Sequence, residues 1–355
     1  MRRLAFAAPL LAALALRAAA GRSPSLVERG FSRGLYAGFA SRLTCLTGLV
    51  PFSLAEALVA LLALACLAGL AGRYRRGPGA TAGWPRRLRR LVAVGGWAYL
   101  AFLLVWGLNY QREPLAASLA LDARPATFAE LEATTRALVD EANRMREGQA
   151  EDADGVLALA DGRRGCLDRV AAGFGAAAGR YPVVGGTCLR PKPIFASALF
   201  SWLGISGIYS PFTGEANVNV DAPDPDLPFS ACHEAAHQRG LAREDEANYA
   251  AYLVCRLHPD GDFRYAGVLA ASQYAVGALA GADRGRARGE ESRRSPAVAR
   301  DLAAIRAWVD RHRGPAMAVS ERVNDAYLRS QGQHEGTRSY GRMVDLLIAE
   351  RRAAP

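Results

Sequence analysis

Two histidines stand four residues apart, with a glutamate directly after the first, in the stretch Cys232-His233-Glu234-Ala235-Ala236-His237-Gln238-Arg239-Gly240. On a helix, positions i and i+4 share a face, so His233 and His237 can turn their imidazoles toward one ion. Glu234 falls at the edge of that face, where a carboxylate can take a proton from an activated water. Ala235 and Ala236 favour the helix, and Gly240 supplies a stop at which the chain can turn. Five histidines in 355 residues make this pentapeptide rare by chance.

A catalytic zinc takes three protein donors and keeps a fourth position open. The run after Gly240 predicts a second helix in which Glu244, Asn248 and Tyr252 recur every four residues on one face. Glu244 is the expected third ligand, and Asn248 is expected behind it, orienting a histidine or the carboxylate. Glu246 is the rival third ligand and lies on a different face of the same helix.

These residues resemble the HExxH zinc metallopeptidases called zincins. More narrowly, they resemble the gluzincin arrangement, in which a helix carrying Glu-x-x-Ala-(Asp/Asn) supplies the third ligand. Glu244, Ala247 and Asn248 match that pattern position by position. The metzincin variant would place its third ligand at position 243, where Arg243 cannot bind zinc. The whole chain is similar to an uncharacterised bacterial membrane-protein family with an HExxH domain, including Gly207-Ile-Tyr-Ser-Pro-Phe-Thr-Gly-Glu-Ala-Asn217 and Ser339-Tyr340-Gly341. The zincin resemblance implies an oxyanion stabiliser from later in the chain. Tyr340 is the chosen candidate, with His334 and Arg342 beside it.

The elements that must position these groups follow from charge and hydropathy. Residues 1–110 hold 14 Arg and 2 Glu, a net of +12, whereas residues 111–355 carry a net of −2. The overall +10 therefore belongs to the apolar third and speaks of membrane orientation, so nucleic-acid binding loses its support. Apolar runs predict spans at about 4–20, 51–72 and 91–109, each near the length needed to cross ~30 Å of hydrocarbon. The first run fits a signal peptide equally well. Between the second and third lie Arg73, Arg75, Arg76, Arg86, Arg87, Arg89 and Arg90, broken by Gly77-Pro78-Gly79, a strong positive-inside signal. Residues 111–355 are thereby expected outside the cytoplasm of a bacterial-type membrane, and residues 1–110 form the anchor.

Residues 21–50 read as an external loop with a short helix. Thr127-Phe-Ala-Glu130 has the form of a capping box opening a helix to about Met145, and another helix is expected over 165–181. Residues 204–220 read as a strand pair turning at Thr213-Gly214. By resemblance, residues 216–220 receive extended substrate through main-chain pairing. Ser230 is the expected cap of the histidine helix. Phe263–Ala280 reads as a buried helix, Gly281–Ser295 as a mobile loop, 295–313 as a helix, and residues from Ser320 onward as a last helical pair. Cys166, Cys188, Cys232 and Cys255 form either one or two disulfides or small buried groups.

The expected fold class is mainly α: two or three N-terminal transmembrane helices, then a zincin-like, mostly helical domain with a small β-hairpin or sheet. The expected function is a membrane-anchored, Zn2+-dependent hydrolase, a metallopeptidase, with the lipid bilayer and a peptide or protein substrate as partners. The alternative is a non-catalytic metal-binding envelope or assembly protein.

Overall fold

The computed structural model describes residues 2–75, 83–185 and 188–353. Arg76 and Gly77-Pro78-Gly79, in the arginine-rich connection, lie outside the described residues. The apolar N-terminal third forms α1 (Ala8–Gly21), α2 (Ala37–Thr47), α3 (Leu54–Arg75) and α4 (Trp84–Val105). Leu54–Gly72 and Trp84–Val105 are long and apolar enough to cross a membrane, and a third span results if Ala5–Gly21 and Pro24–Thr47, bent by 99°, count as one. α4 begins earlier than the apolar run because the arginines and leucine of 86–90 are good helix formers. α1 packs along α4, where Arg17 donates to the Tyr99 hydroxyl at 3.0 Å.

Over 21–50 the sequence predicts mostly loop, whereas the structure is helical from Pro24 to Thr47, with Val27–Tyr36 wound as a π-helix. The reason is tertiary. Glu28 is buried in a two-point pair with Arg112, at 2.7 Å from both Nε and Nη2, and Ser32 donates to Asn109 at 2.9 Å. Isolated, this segment has too many arginines and glycines to read as a helix; packed, its polar groups are satisfied.

The remainder is helical around a small mixed sheet. In chain order come α5 (Phe128–Arg146), α6 (Gly162–Ala178), β1 (Lys192–Pro193), α7 (Ser197–Trp202), β2 (Gly207–Ser210) and β3 (Glu215–Val218). They are followed by α8 (Leu227–Gln238), α9 (Glu244–Leu257), α10 (Gly261–Ala282), α11 (Arg284–Ser292), α12 (Pro296–His312), α13 (Pro315–Ser330) and α14 (Met343–Ala353). The capping box at Thr127 and Glu130 is formed, with Thr127 accepting from the Glu130 amide and Glu130 from the Thr127 amide. α10 is a buried helix packed on α5, α8 and α9. The expected mobile loop over 281–295 is instead mostly helix α11. Asp283 caps its first turn, Ala287 is buried, and Arg136 of α5 holds its Glu290 at 2.8 Å. Its charged composition comes from this cross-helix pairing rather than from disorder.

The strand order is β1-β3-β2, with β2 and β3 antiparallel around the Gly214 turn and β1 parallel to β3. The two residues of β1 are too short for periodicity to reveal. Their arrival makes β3 the central strand, buried along its whole length, and leaves β2 at the edge. Residues 216–220 therefore do not offer the free edge that the zincin resemblance implied; Ile208 and its neighbours do.

The cysteines also pair across an unexpected distance. Cys45, at the end of α2, is bonded to Cys188, while Cys66, Cys166, Cys232 and Cys255 are free. Cys166, Cys232 and Cys255 are small apolar groups of the main core. The bond, with Lys192 donating to the Thr47 and Phe52 carbonyls and pairing with Glu215, ties the foot of α3 to the sheet. Glu215 in turn accepts from the Leu54 and Ala55 amides, neutralising the exposed N–H groups at the start of α3. The seam expected at residue 110 is thus bridged at several points. Denatured without reductant, the intact chain should take up alkylating reagent at the four free cysteines only. Mass spectrometry showing six modified cysteines would remove the Cys45–Cys188 link.

Candidate metal centre

α8 carries the histidines, and every one of its twelve residues is buried. Asp226 stands at its N-cap with Pro228 in the first turn; Ser230, the expected cap, lies inside the helix and donates back to Asp226 at 3.0 Å. The helix therefore begins a turn earlier than serine alone suggests, because Pro228 suits its first turn. At the other end Gly240 has φ +78°, the left-handed turn that glycine adopts without strain, and this reverses the chain into α9. Glu244 is consequently the first residue of α9 and faces back on α8.

His233, His237 and Glu244 converge. Their nearest donor atoms are separated by 3.2 Å (His233 Nε2 to His237 Nε2), 3.3 Å (His233 Nε2 to Glu244 Oε2) and 3.6 Å (His237 Nε2 to Glu244 Oε2). Ligands at about 2.05 Å from a tetrahedral ion are about 3.3 Å from one another, so this triangle fits one face of such a site. His237 Nδ1 lies 2.6 Å from the Leu241 carbonyl, so its N–H points there and the Nε2 lone pair faces the centre. Glu244 Oε2 is buried without a hydrogen-bond partner among the described residues. A buried carboxylate oxygen facing two ring nitrogens gathers three donors that one cation could share. The three residues could hold a metal ion.

Glu246 does not compete. Its Oε1 accepts from the Leu115 amide at 2.7 Å and from Arg243 at 2.9 Å, on the far side of α9. The electrostatics favour a positive charge at the centre. Burial raises the Glu244 carboxyl, but the two imidazoles outweigh it and bring it down to about 2. Burial lowers the His237 imidazole, but Glu244 overrides it and pushes it up to about 9.

Glu234 lines the same cavity, of about 540 Å³. Burial pushes its carboxyl up, against the pull of the two imidazoles. Its side chain lies on the backbone of Gly207 in β2. A Cβ there would come within 2.5 Å of Glu234 Cγ, so only glycine leaves room. The open strand edge and the acid/base candidate are therefore in contact.

Among the later residues, Tyr340 lines the cavity with its ring stacked 6.3 Å from that of His233, and its hydroxyl accepts from Asn324 at 3.4 Å. His334 and Arg342 are exposed and border a different cavity. Asn248 reaches neither histidine nor Glu244. Its amide donates to the Tyr340 carbonyl at 3.1 Å and so positions the Gly336–Arg342 turn rather than a ligand.

The sequence reading missed the wall formed by residues just past the end of α4 and from the Val27–Tyr36 segment. Trp106, just past the end of α4, packs on Tyr209 at 4.7 Å and meets the His237 ring edge-on at 6.0 Å. Tyr36 donates toward the His237 and Gln238 carbonyls at the end of α8, and Arg112 donates to the Gly240 carbonyl at 3.0 Å. The signal available was the excess of aromatic residues around 97–110, which also suits an interfacial belt.

The family described as "Protein of unknown function (DUF3810)" matches residues 31–348. The chain belongs to that family. The match takes in the π-helical segment from Phe31 onward, the histidine helix α8 and the Tyr340 turn together. No curated protein and no solved structure matches the chain.

Replacing Glu244 with alanine should reduce bound metal in the purified full chain well below one equivalent. Glu246→Ala should keep the metal and lower Tm, since it strands the buried Leu115 amide at a cost of about 1–3 kcal/mol. Elemental analysis beside thermal unfolding checks both, and the reverse pattern would exchange the two roles.

Proposed function

We propose that the chain is a membrane-anchored, zinc-dependent hydrolase of zincin type, a metallopeptidase whose active body lies outside the cytoplasm. The observation that carries the reading is the convergence of His233, His237 and Glu244 with the buried Glu234 beside an open strand edge. Two nitrogens and one carboxylate are a donor set suited to zinc. When bound, such an ion polarises a carbonyl and lowers the pKa of a coordinated water toward about 7.

The protein's own groups do the rest. Glu234, whose carboxyl burial pushes up, acts as the carboxylate that takes a proton from the attacking water and passes it to the departing amine. The edge of β2 offers amide and carbonyl groups to an extended peptide, placing a scissile bond alongside Glu234. Tyr340 donates a hydrogen bond from its hydroxyl to the developing oxyanion. Burial raises its phenol well above the usual value, which keeps that proton in place. A second cavity continues past His233 and Tyr340, sharing Ser206 with the first, so the groove extends to both sides of the centre.

The orientation is supported by charge and by sulfur. The arginine-rich connection between α3 and α4 favours the cytoplasmic side, and the Cys45–Cys188 bond, on the opposite end of α3, favours an oxidising compartment.

Glu234→Gln should retain a full equivalent of metal while hydrolysis of peptide pools falls by about 10²–10⁴-fold. Full turnover in that variant would remove Glu234 from the chemistry. Gly207→Ala should also keep metal and lose most turnover, because the added methyl displaces Glu234. Unchanged rates there would show that the carboxylate acts from another position.

A further inference from the structure

Apart from Phe128 at the start of α5, the large apolar side chains exposed on the body after residue 110 are gathered where the spans leave it. Phe195 is 99% exposed, and Leu199 and Trp202 follow it on α7. This segment sits at the foot of α3, since Glu56 accepts from the Phe195 and Ala196 amides at 2.8 and 3.0 Å. Phe212, also exposed, is in the β2–β3 turn, which the Thr44 hydroxyl of α2 ties down through the Gly214 carbonyl. On α13, Val319 and Val323 are exposed; Met317 of that helix packs on Gly204, and Tyr327 meets Tyr110 just past the end of α4. Leu46, Leu49 and Phe52 complete the patch next to the start of α3. By contrast, α5 and α11 present exposed ion pairs, Arg286–Glu132 and Arg293–Asp140.

An apolar surface of this extent on a protein body marks an interaction site. What covers it follows from its continuity with α3, whose segment Leu54–Gly72 is unburied and long and apolar enough to cross a membrane. The patch begins where that lipid-facing surface ends. The cavity of His233, His237 and Glu244 is lined by the same ring of residues, the 203–209 stretch and α13, with Trp106 also in its wall.

We propose that this apolar face rests on the lipid surface and that the cavity takes the juxtamembrane stretch of a membrane-anchored polypeptide. The substrate half of the proposal rests on the hydrolase reading; the lipid half does not. One aromatic ring separates the end of α4 from His237, so a bond that reaches the metal triangle lies within a few residues of the bilayer. An anchored chain is delivered there already extended and at high local concentration. A chain free in solution must first be drawn down to the membrane.

Two measurements on the full-length protein in lipid nanodiscs test this separately. In a Cys66→Ser background, spin labels at Phe195→Cys and Val323→Cys should be relaxed by oxygen more than by a water-soluble nickel chelate, whereas a label at Arg286→Cys should show the opposite. Nickel-dominated relaxation at both rim positions would overturn the lipid contact. The second measurement compares a pool of randomised peptides free in solution with the same pool carried at the end of a single transmembrane helix in the same vesicles. The anchored pool should be cut at least about ten-fold faster, at bonds close to the anchor. Equal rates would overturn the substrate class and leave the hydrolase reading standing. No cleavage of either pool, with lipid-facing labels, would count against the hydrolase reading and carry the substrate class down with it, while the lipid contact would stand.

Discussion

A carboxylate buried against two imidazoles is the constraint around which this protein is built. Glu244 Oε2 has no hydrogen-bond partner among the described residues, yet it lies within 3.6 Å of two ring nitrogens. Burial disfavours the carboxylate charge, and the two imidazoles offset that cost. Every element nearby serves to hold it. Gly240 turns the chain so that α9 starts at Glu244, Leu241 fixes one imidazole through its carbonyl, and the core clamps α8 on all sides.

The second feature is that residues flanking the candidate spans form part of the site's walls. Tyr36 and Arg112 satisfy carbonyls at the C-terminal end of α8 and at Gly240, groups that would otherwise be buried without donors. Arg112 is itself neutralised by Glu28, with both side chains almost fully buried. Removing one partner of such a pair costs on the order of 3–5 kcal/mol, and through Arg112 the pair links the π-helical segment to the end of α8 at Gly240. On the other side, Lys192 and Glu215 join the foot of α3 to the central strand. The Val27–Tyr36 segment keeps its π winding at the contact with the site, in line with the tendency of such windings to occur at functional positions.

The reach of sequence reading varied with the range of the interaction concerned. The capping box at Thr127 and Glu130 was legible because both partners lie within one turn. The Gly214 hairpin was legible for the same reason. The π-helical run, α11 and the Cys45–Cys188 bond were not, because each depends on partners far along the chain: Arg112 for Glu28, Arg136 for Glu290, and a cysteine 143 residues away. Of the later polar residues, Tyr340 borders the cavity of His233, His237 and Glu244 and His334 and Arg342 do not, a difference set by how the Gly336–Arg342 turn is held by Asn248.

What the sequence determined alone was the shared face of His233 and His237, since four residues make about one turn of any helix. Hydropathy likewise determined the two clear spans, because only apolar helices of that length suit a bilayer. Tertiary structure decided which glutamate met the imidazoles. The rotation of α9 is set by the Gly240 turn and by the Leu115 amide and Arg243, which engage Glu246, and neither is a local property of that helix. It also decided which strand kept an open edge, because β1 arrives from outside the hairpin and closes β3. Spacing along a chain fixes direction within one element; the meeting of elements depends on packing that spacing does not encode.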